Sequence, residues 1–126
     1  MAYQVQGQPV AFVNVADRDR AMKFYVDTLG LKLRSSDGFG DFLEFGDALM
    51  RMTVLPDYKS QAYPVLGWNV PDIRSTVEAL TARGVAFTIY EGLGQDELGI
   101  WTSPDGASKV AFFNDPDGNV LSLAQV

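Results

Sequence analysis

The sequence predicts an α+β fold of two βαβββ repeats, whose mixed sheets curve into a cup with the helices packed outside. Three observations predict it. Asn14-Val15-Ala16-Asp17 opens an amphipathic segment that stops at Leu29-Gly30-Leu31, and Asn69-Val70-Pro71-Asp72 opens another that stops at Arg83-Gly84-Val85. The offset is 55 residues at the start and 54 at the end, which marks a duplicated strand–helix unit. The segments between alternate apolar and polar residues with the period of a strand. Finally, 126 residues with 47% hydrophobic and 21% charged side chains have the balance of one soluble domain. Within it the repeats fall at about 8–55 and 64–125, joined by 56–63.

Residues 9–15 read as the first strand. Asp17 is an N-cap for a helix that carries Ala21, Phe24, Tyr25 and Leu29 at helical spacing. Gly30 is its C-cap, and Leu31 folds back onto the helix end. A second strand covers 31–34, a loop covers 35–40, and 41–45 with 48–55 form a hairpin across Gly46-Asp47. The second repeat follows the same plan, with a strand at 63–70 and a helix capped by Asp72 that buries Ile73, Val77 and Leu80. Gly84 ends that helix, 85–90 read as a strand, 91–97 as an acidic loop and 98–103 as a short strand. A turn at Pro104-Asp105-Gly106 precedes the last hairpin, 109–114 and 119–125. Its turn is Asp115-Pro116-Asp117-Gly118, where proline presets one dihedral and glycine supplies the positive one.

Successive strand residues point to opposite sides, so parity sorts each strand into two faces. In the first hairpin the turn pairs Phe45 with Ala48, Glu44 with Leu49 and Phe42 with Arg51. One face is then Leu43, Phe45, Ala48, Met50, Met52 and Val54, all apolar, and belongs under a helix. The other holds Phe42, Glu44, Leu49, Arg51 and Thr53, with Glu44 and Arg51 as a cross-strand couple. The same sorting puts Val10, Phe12 and Asn14 on that second face, and Val65, Gly67, Asn69, Val120, Ser122, Ala124 and Phe112 on its counterpart. Trp68 falls on the core side.

Ten basic against sixteen acidic residues give a net charge of −6, which argues against a nucleic-acid partner. No run approaches the ~20 apolar residues of a membrane span, and the first residues lack the pattern of a secretory signal. A cytoplasmic protein with no membrane partner is expected. The chain has neither cysteine nor histidine, so a metal would have to bind through oxygen alone.

Val15-Ala16-Asp17 with Ala21, Phe24-Tyr25 and Leu29-Gly30-Leu31 resembles the first half of the vicinal oxygen chelate superfamily of glyoxalases, bleomycin-resistance proteins and extradiol dioxygenases. Phe112-Phe113-Asn114-Asp115-Pro116-Asp117-Gly118-Asn119, followed by Leu121-Ser122-Leu123, is similar to its second-half signature. The resemblance implies a divalent ion held by His and Glu from four strands. The matching positions are Val10 and Val65, each seven residues before the Asp that opens a helix, Arg51 in the first hairpin, and Ser122, seven after Asp115. Two valines, an arginine and a serine do not bind such an ion, so neither metal nor other cofactor is expected.

These residues are therefore read as a small-molecule site, similar to the antibiotic-sequestering branch, and the resemblance implies a homodimer. Phe12, Phe42 and Phe112 are its expected walls, Trp101 its rim, and Glu44, Arg51 and Ser122 its polar contacts. Two readings stand beside it. One is a metal-independent enzyme, of lyase or isomerase type, with Glu44 as base and Arg51 as anion anchor. The other is an accessory module whose cup has lost its ligand. Arg51 disfavours a cationic ligand and suits a carboxylate.

Overall fold

Side-chain parity decides which sheet face each helix covers, and the burial of the strands follows it. The computed structural model describes residues 3–126 and divides into two compact units, the first ending at Tyr58 and the second beginning at Lys59. Unit 1 comprises β1 (Val10–Val15), α1 (Arg18–Met22), β2 (Lys32–Asp37), β3 (Gly40–Phe45) and β4 (Ala48–Val54). Its sheet runs β1-β4-β3-β2, with β1 parallel to β4 and the other pairs antiparallel. Unit 2 repeats the order with β5 (Pro64–Asn69), α2 (Ile73–Ala82), β6 (Trp101–Thr102), β7 (Lys109–Asn114) and β8 (Val120–Gln125). Its sheet runs β5-β8-β7-β6 with β5 parallel to β8, so each unit closes a mixed sheet and the chain is α+β as expected.

In unit 1, Val13, Val15, Leu43, Met50 and Met52 are buried on one sheet face together with Ala21 and Tyr25 of the helix. At about 1.5–3 kcal/mol for each large apolar side chain, this set is the main stabilising term of the unit. Asp17 caps α1 by accepting from the Arg20 amide. The helix then widens into a π-helical stretch, Lys23–Thr28, which the sequence did not foretell. Leu29 N–H donates to the Phe24 carbonyl five residues back, and the wider turn sets Phe24 and Tyr25 edge to face at 5.3 Å. Gly30 ends the helix at φ +79°, and Leu31 N–H folds back to the Tyr25 carbonyl.

Three local expectations are corrected. Strand β2 extends through Asp37, so 35–37 are not loop: the Asp37 carboxylate accepts from the Phe39 and Gly40 amides and tightens the turn. The expected strand at 85–90 shrinks to one bridge, Phe87 to Phe113, with Thr88 N–H donating to the Phe112 carbonyl. The side chain of Gln95 takes over the rest of that backbone. It donates to the Thr88 and Gly99 carbonyls and accepts from the Tyr90 amide, leaving little for a neighbouring strand to bond. The short strand expected at 98–103 contracts to Trp101–Thr102, because the Asp96 carboxylate takes the Leu98 and Ile100 amides. Val120 keeps the parity of Ser122 and is buried there, while the β5–β8 register slips between Pro64 and Leu66 and leaves Val65 without a partner position.

The last turn of unit 2 is built as its sequence suggests. One Asp115 oxygen accepts from the Asp117 and Asn119 amides and the other from the Asn119 side-chain amide, while Gly118 sits at φ +86°. Asp72 caps α2 by accepting from the Ser75 amide, and Gly84 follows it at φ +93°. Trp68 is half-buried and stacks on Phe113 at 6.4 Å.

Gly40 has a sharper constraint, because a Cβ there would collide with the Met52 carbonyl of β4. Gly40→Ala is expected to force β3 from β4 and to cost at least the ~1–3 kcal/mol of an over-packed core. Denaturant unfolding checks it, and a variant as stable as the parent would contradict the β3–β4 register.

Candidate functional site

The outer face of the unit 1 sheet is organised in rows that run across its strands. The middle row is Phe12 on β1, Arg51 on β4, Phe42 on β3 and Ser35 on β2. To one side lie Val10, Leu49, Glu44 and Lys32; to the other lie Asn14, Thr53, Gly40 and Asp37. The pairing expected for the first hairpin is observed, and it places Phe12, Phe42 and Arg51 side by side. Neighbouring strands stand about 4.8 Å apart, so the two phenylalanines are separated by roughly 10 Å with Arg51 between them.

Arg51 is held by two contacts on this face. Its guanidinium carbon lies 4.8 Å from the centre of the Phe42 ring, a cation–π contact. Nη2 donates to Oδ1 of Asp37 at 3.0 Å. Only 13% of the side chain is exposed, and Nη1 is buried with no hydrogen-bond acceptor. Phe12 is 69% exposed. The expected Glu44–Arg51 couple is not formed. Glu44 is exposed in the neighbouring row, opposite Lys32, whereas the guanidinium leans over Phe42 toward the β2–β3 turn and takes Asp37 instead. Asp37 is the functional candidate that the sequence reading missed by placing it in a loop. The signal was there in Asp37-Gly38-Phe39-Gly40, since an aspartate before a glycine-bearing turn commonly accepts the turn amides.

The equivalent row of unit 2 is Gly67 on β5, Ser122 on β8 and Phe112 on β7. Phe112 meets Tyr90 edge to face at 5.7 Å. A Cβ on Gly67 would strike Oγ of Ser122, so the small residue is what leaves that hydroxyl open. Trp101 pairs with Val110 one row away and is half-buried. This face carries no charge in these positions, in contrast to its counterpart. A cavity of about 380 Å³ also occurs in unit 2, lined by Asp72, Arg74, Asp96, Lys109 and Gln125 among others. It lies on the helix side of the sheet and contains none of the expected ligand residues. Two of the amides opening α2 are already taken, Ile73 by the Gln125 side chain and Ser75 by Asp72.

The donor set at the four positions matched to metal ligands does not fit a divalent ion. Val10 and Val65 offer hydrocarbon, Ser122 a neutral hydroxyl and Arg51 a cation. Among the described residues, no group of three or more acidic side chains is placed to hold a metal. No helix among them is long and apolar enough to cross a membrane.

Two mixed sheets with one helix each, in duplicated βαβββ order, define a class of small α+β proteins. Residues 7–123 match the Glyoxalase/Bleomycin resistance protein/Dioxygenase superfamily, and the chain belongs to it. It is 28% identical over 127 residues to a Vibrio cholerae protein named "Probable lactoylglutathione lyase", covering 90% of this chain and 86% of that one. A glyoxalase/bleomycin resistance protein/dioxygenase from Alicyclobacillus acidocaldarius superimposes with a TM-score of 0.72 at 21% identity, covering 94% and 90% of the two chains. TnmS3, an antibiotic binding protein from Streptomyces sp. CB03234, does so with a TM-score of 0.70 at 24% identity, covering 98% of each.

The Arg51 hydrogen bond, and next that from the Phe39 amide, hold the Asp37 carboxyl below the ordinary aspartate value of about 3.9. A carboxylate with a lowered folded pKa adds stability that is complete above the unfolded pKa and is lost as pH falls through the folded one. Asp105 is lowered as well, chiefly by the Ser103 hydroxyl, so acid sensitivity alone does not isolate Asp37. Asp37→Asn keeps the acceptor and removes the charge. It is expected to melt below the parent at neutral pH and to lose less on acidification, so that the two melting curves converge below about pH 4. A constant offset between them at all pH values would remove Asp37 from the charge network.

Proposed function

We propose that the protein binds a small planar organic molecule on the outer sheet face of unit 1, without a metal, and holds it instead of transforming it. Sequestration of an antibiotic is the role this reading favours. The observation that carries it is the Phe12–Arg51–Phe42 row. A cation flanked by aromatic rings stands where the superfamily's enzymes are expected to place a metal ligand. Aromatic walls with few, well-placed polar groups are the usual composition of a small-molecule site. That TnmS3, a protein of the same fold, is an antibiotic binding protein supports the ligand class. Phe112, Ser122 and Trp101 are a second contact set of the same kind. The reading includes a homodimer acting in the cytoplasm, with no nucleic-acid or membrane partner.

The relatives named as lyases favour catalysis, but metal-assisted polarisation of vicinal oxygens needs donors that Val10, Arg51, Val65 and Ser122 do not supply. The metal-independent alternative loses its acid–base couple, because Glu44 faces solvent in the neighbouring row and the ion pair of Arg51 is with Asp37, not with Glu44.

The test is metal analysis of the purified protein, with thermal melts in EDTA and added divalent ions and an assay for lactoylglutathione lyase activity. The expected result is no stoichiometric ion, no change with EDTA and no turnover. A planar aromatic ligand at ~100 times its Kd should stabilise by about 2.7 kcal/mol, a rise of several degrees. A stoichiometric ion whose removal abolishes ligand binding, or metal-dependent turnover, overturns the proposal.

A further inference from the structure

We infer that the ligand class of the unit 1 face is an aromatic carboxylate, with its two oxygens on the Arg51 guanidinium and its ring against Phe12; this rests on the reading of that face as a small-molecule site. The first argument is an unmet hydrogen-bonding need. Nη1 of Arg51 is shielded from solvent and has no acceptor, a condition that penalises a buried polar group. An acceptor delivered there by a ligand, once the groups that shield Nη1 move aside, relieves that penalty and breaks no hydrogen bond.

The second argument is geometric. Asp37 engages only Nη2, and the Phe42 ring lies under the guanidinium, so two contacts orient the planar fork. A second N–H of Nη2 and those of Nη1 are the paired donors that match two oxygens on one carbon. Lysine would present a point charge and no such match. The charge count limits the ligand further. Asp37 already balances Arg51, and the next row pairs Glu44 with Lys32, so the face suits a single negative charge better than a phosphate dianion. The third argument is the wall. Phe12 neighbours Arg51 in the register and keeps 69% of its surface exposed, which gives it room to turn aside and then cover a ring. The equivalent unit 2 row has Ser122 for Arg51 and Gly67 for Phe12, so this selectivity belongs to unit 1.

The test compares 2-naphthoate with 2-naphthamide, its neutral counterpart, by isothermal titration against the full chain. Naphthoate is expected to bind at least tenfold more tightly. Arg51→Ala should bring it to the affinity of naphthamide or below, Arg51→Lys should recover only part of the preference, and Phe12→Ala should weaken both ligands by a similar factor. Equal binding of the two by the parent protein overturns the carboxylate inference and leaves the small-molecule reading standing. A preference that survives Arg51→Ala places the anion elsewhere and overturns it too. Binding of neither ligand sinks the small-molecule reading and the inference together. Should Arg51→Ala fail to fold, the parent's ratio of the two affinities still decides.

Discussion

The ion pair between Arg18 and the buried Asp41 fixes most of what unit 1 does. Nε and Nη2 of Arg18 donate to the two Asp41 oxygens at 3.1 and 2.8 Å, and the Ser36 hydroxyl donates to the same carboxylate at 2.6 Å. A carboxylate taken out of water is tolerable only when its lone pairs are filled in this way, and an isolated one would cost several kcal/mol. Nη2 of Arg18 also donates to the Asp37 and Gly40 carbonyls. One arginine at the start of α1 thus ties the helix to β3 and closes the backbone of the β2–β3 turn. The side chain of Asp37 fills the turn from within, accepting from Phe39 and Gly40, and still has room for Arg51. The turn is therefore gripped by one arginine through its carbonyls and by another through its carboxylate. The aim of Arg51 over Phe42 depends on a helix contact made on the other side of the sheet.

This coupling explains which parts of the molecule were legible in the sequence. The β3–β4 register followed from a two-residue turn and an alternation with no ambiguity, so Phe42 opposite Arg51 could be read directly. The caps at Asp17 and Asp72 and the glycines at 30 and 84 were legible for the same reason, being local chemistry. Asp37 was legible only as an acceptor for the turn amides. Its role in the site is set by Arg18 and Arg51, which lie 19 and 14 residues away, and no pattern near Asp37 announces either. Strand adjacency alone points to Glu44 as the partner. Adjacency fixes where Cβ atoms start, whereas a long arginine side chain ends where the stacking and hydrogen-bonding are best. The 85–90 segment failed for a related reason, since the side chain of Gln95 competes with β7 for its backbone.

The duplication turns the two units into an internal comparison. The same offset that aligns the helix starts aligns Phe12 with Gly67, and the sheet rows align Arg51 with Ser122 and Phe42 with Phe112. The aromatic on the third strand persists, while the centre of the row changes from a cation to a hydroxyl and its flank from a ring to nothing. Neither change disturbs the core side, where Met50 and Met52 answer to Leu121 and Leu123, all buried. A strand with period two can hold its packing face constant and vary the opposite one freely.

A guanidinium at the centre of such a row has consequences that differ from those of a metal. A divalent ion is a Lewis acid, which polarises an oxygen and lowers the pKa of groups bound to it. A guanidinium stays protonated, donates hydrogen bonds in one plane, and changes the acidity of a bound molecule far less. It also brings its charge with the chain, so the site needs no loading, and Asp37 and Phe42 hold it in one orientation at the cost of fitting fewer shapes. Turning a chelating position into a guanidinium therefore removes the means of activating a substrate while keeping the means of recognising two adjacent oxygens. A guanidinium held in this way can recognise two adjacent oxygens without activating either.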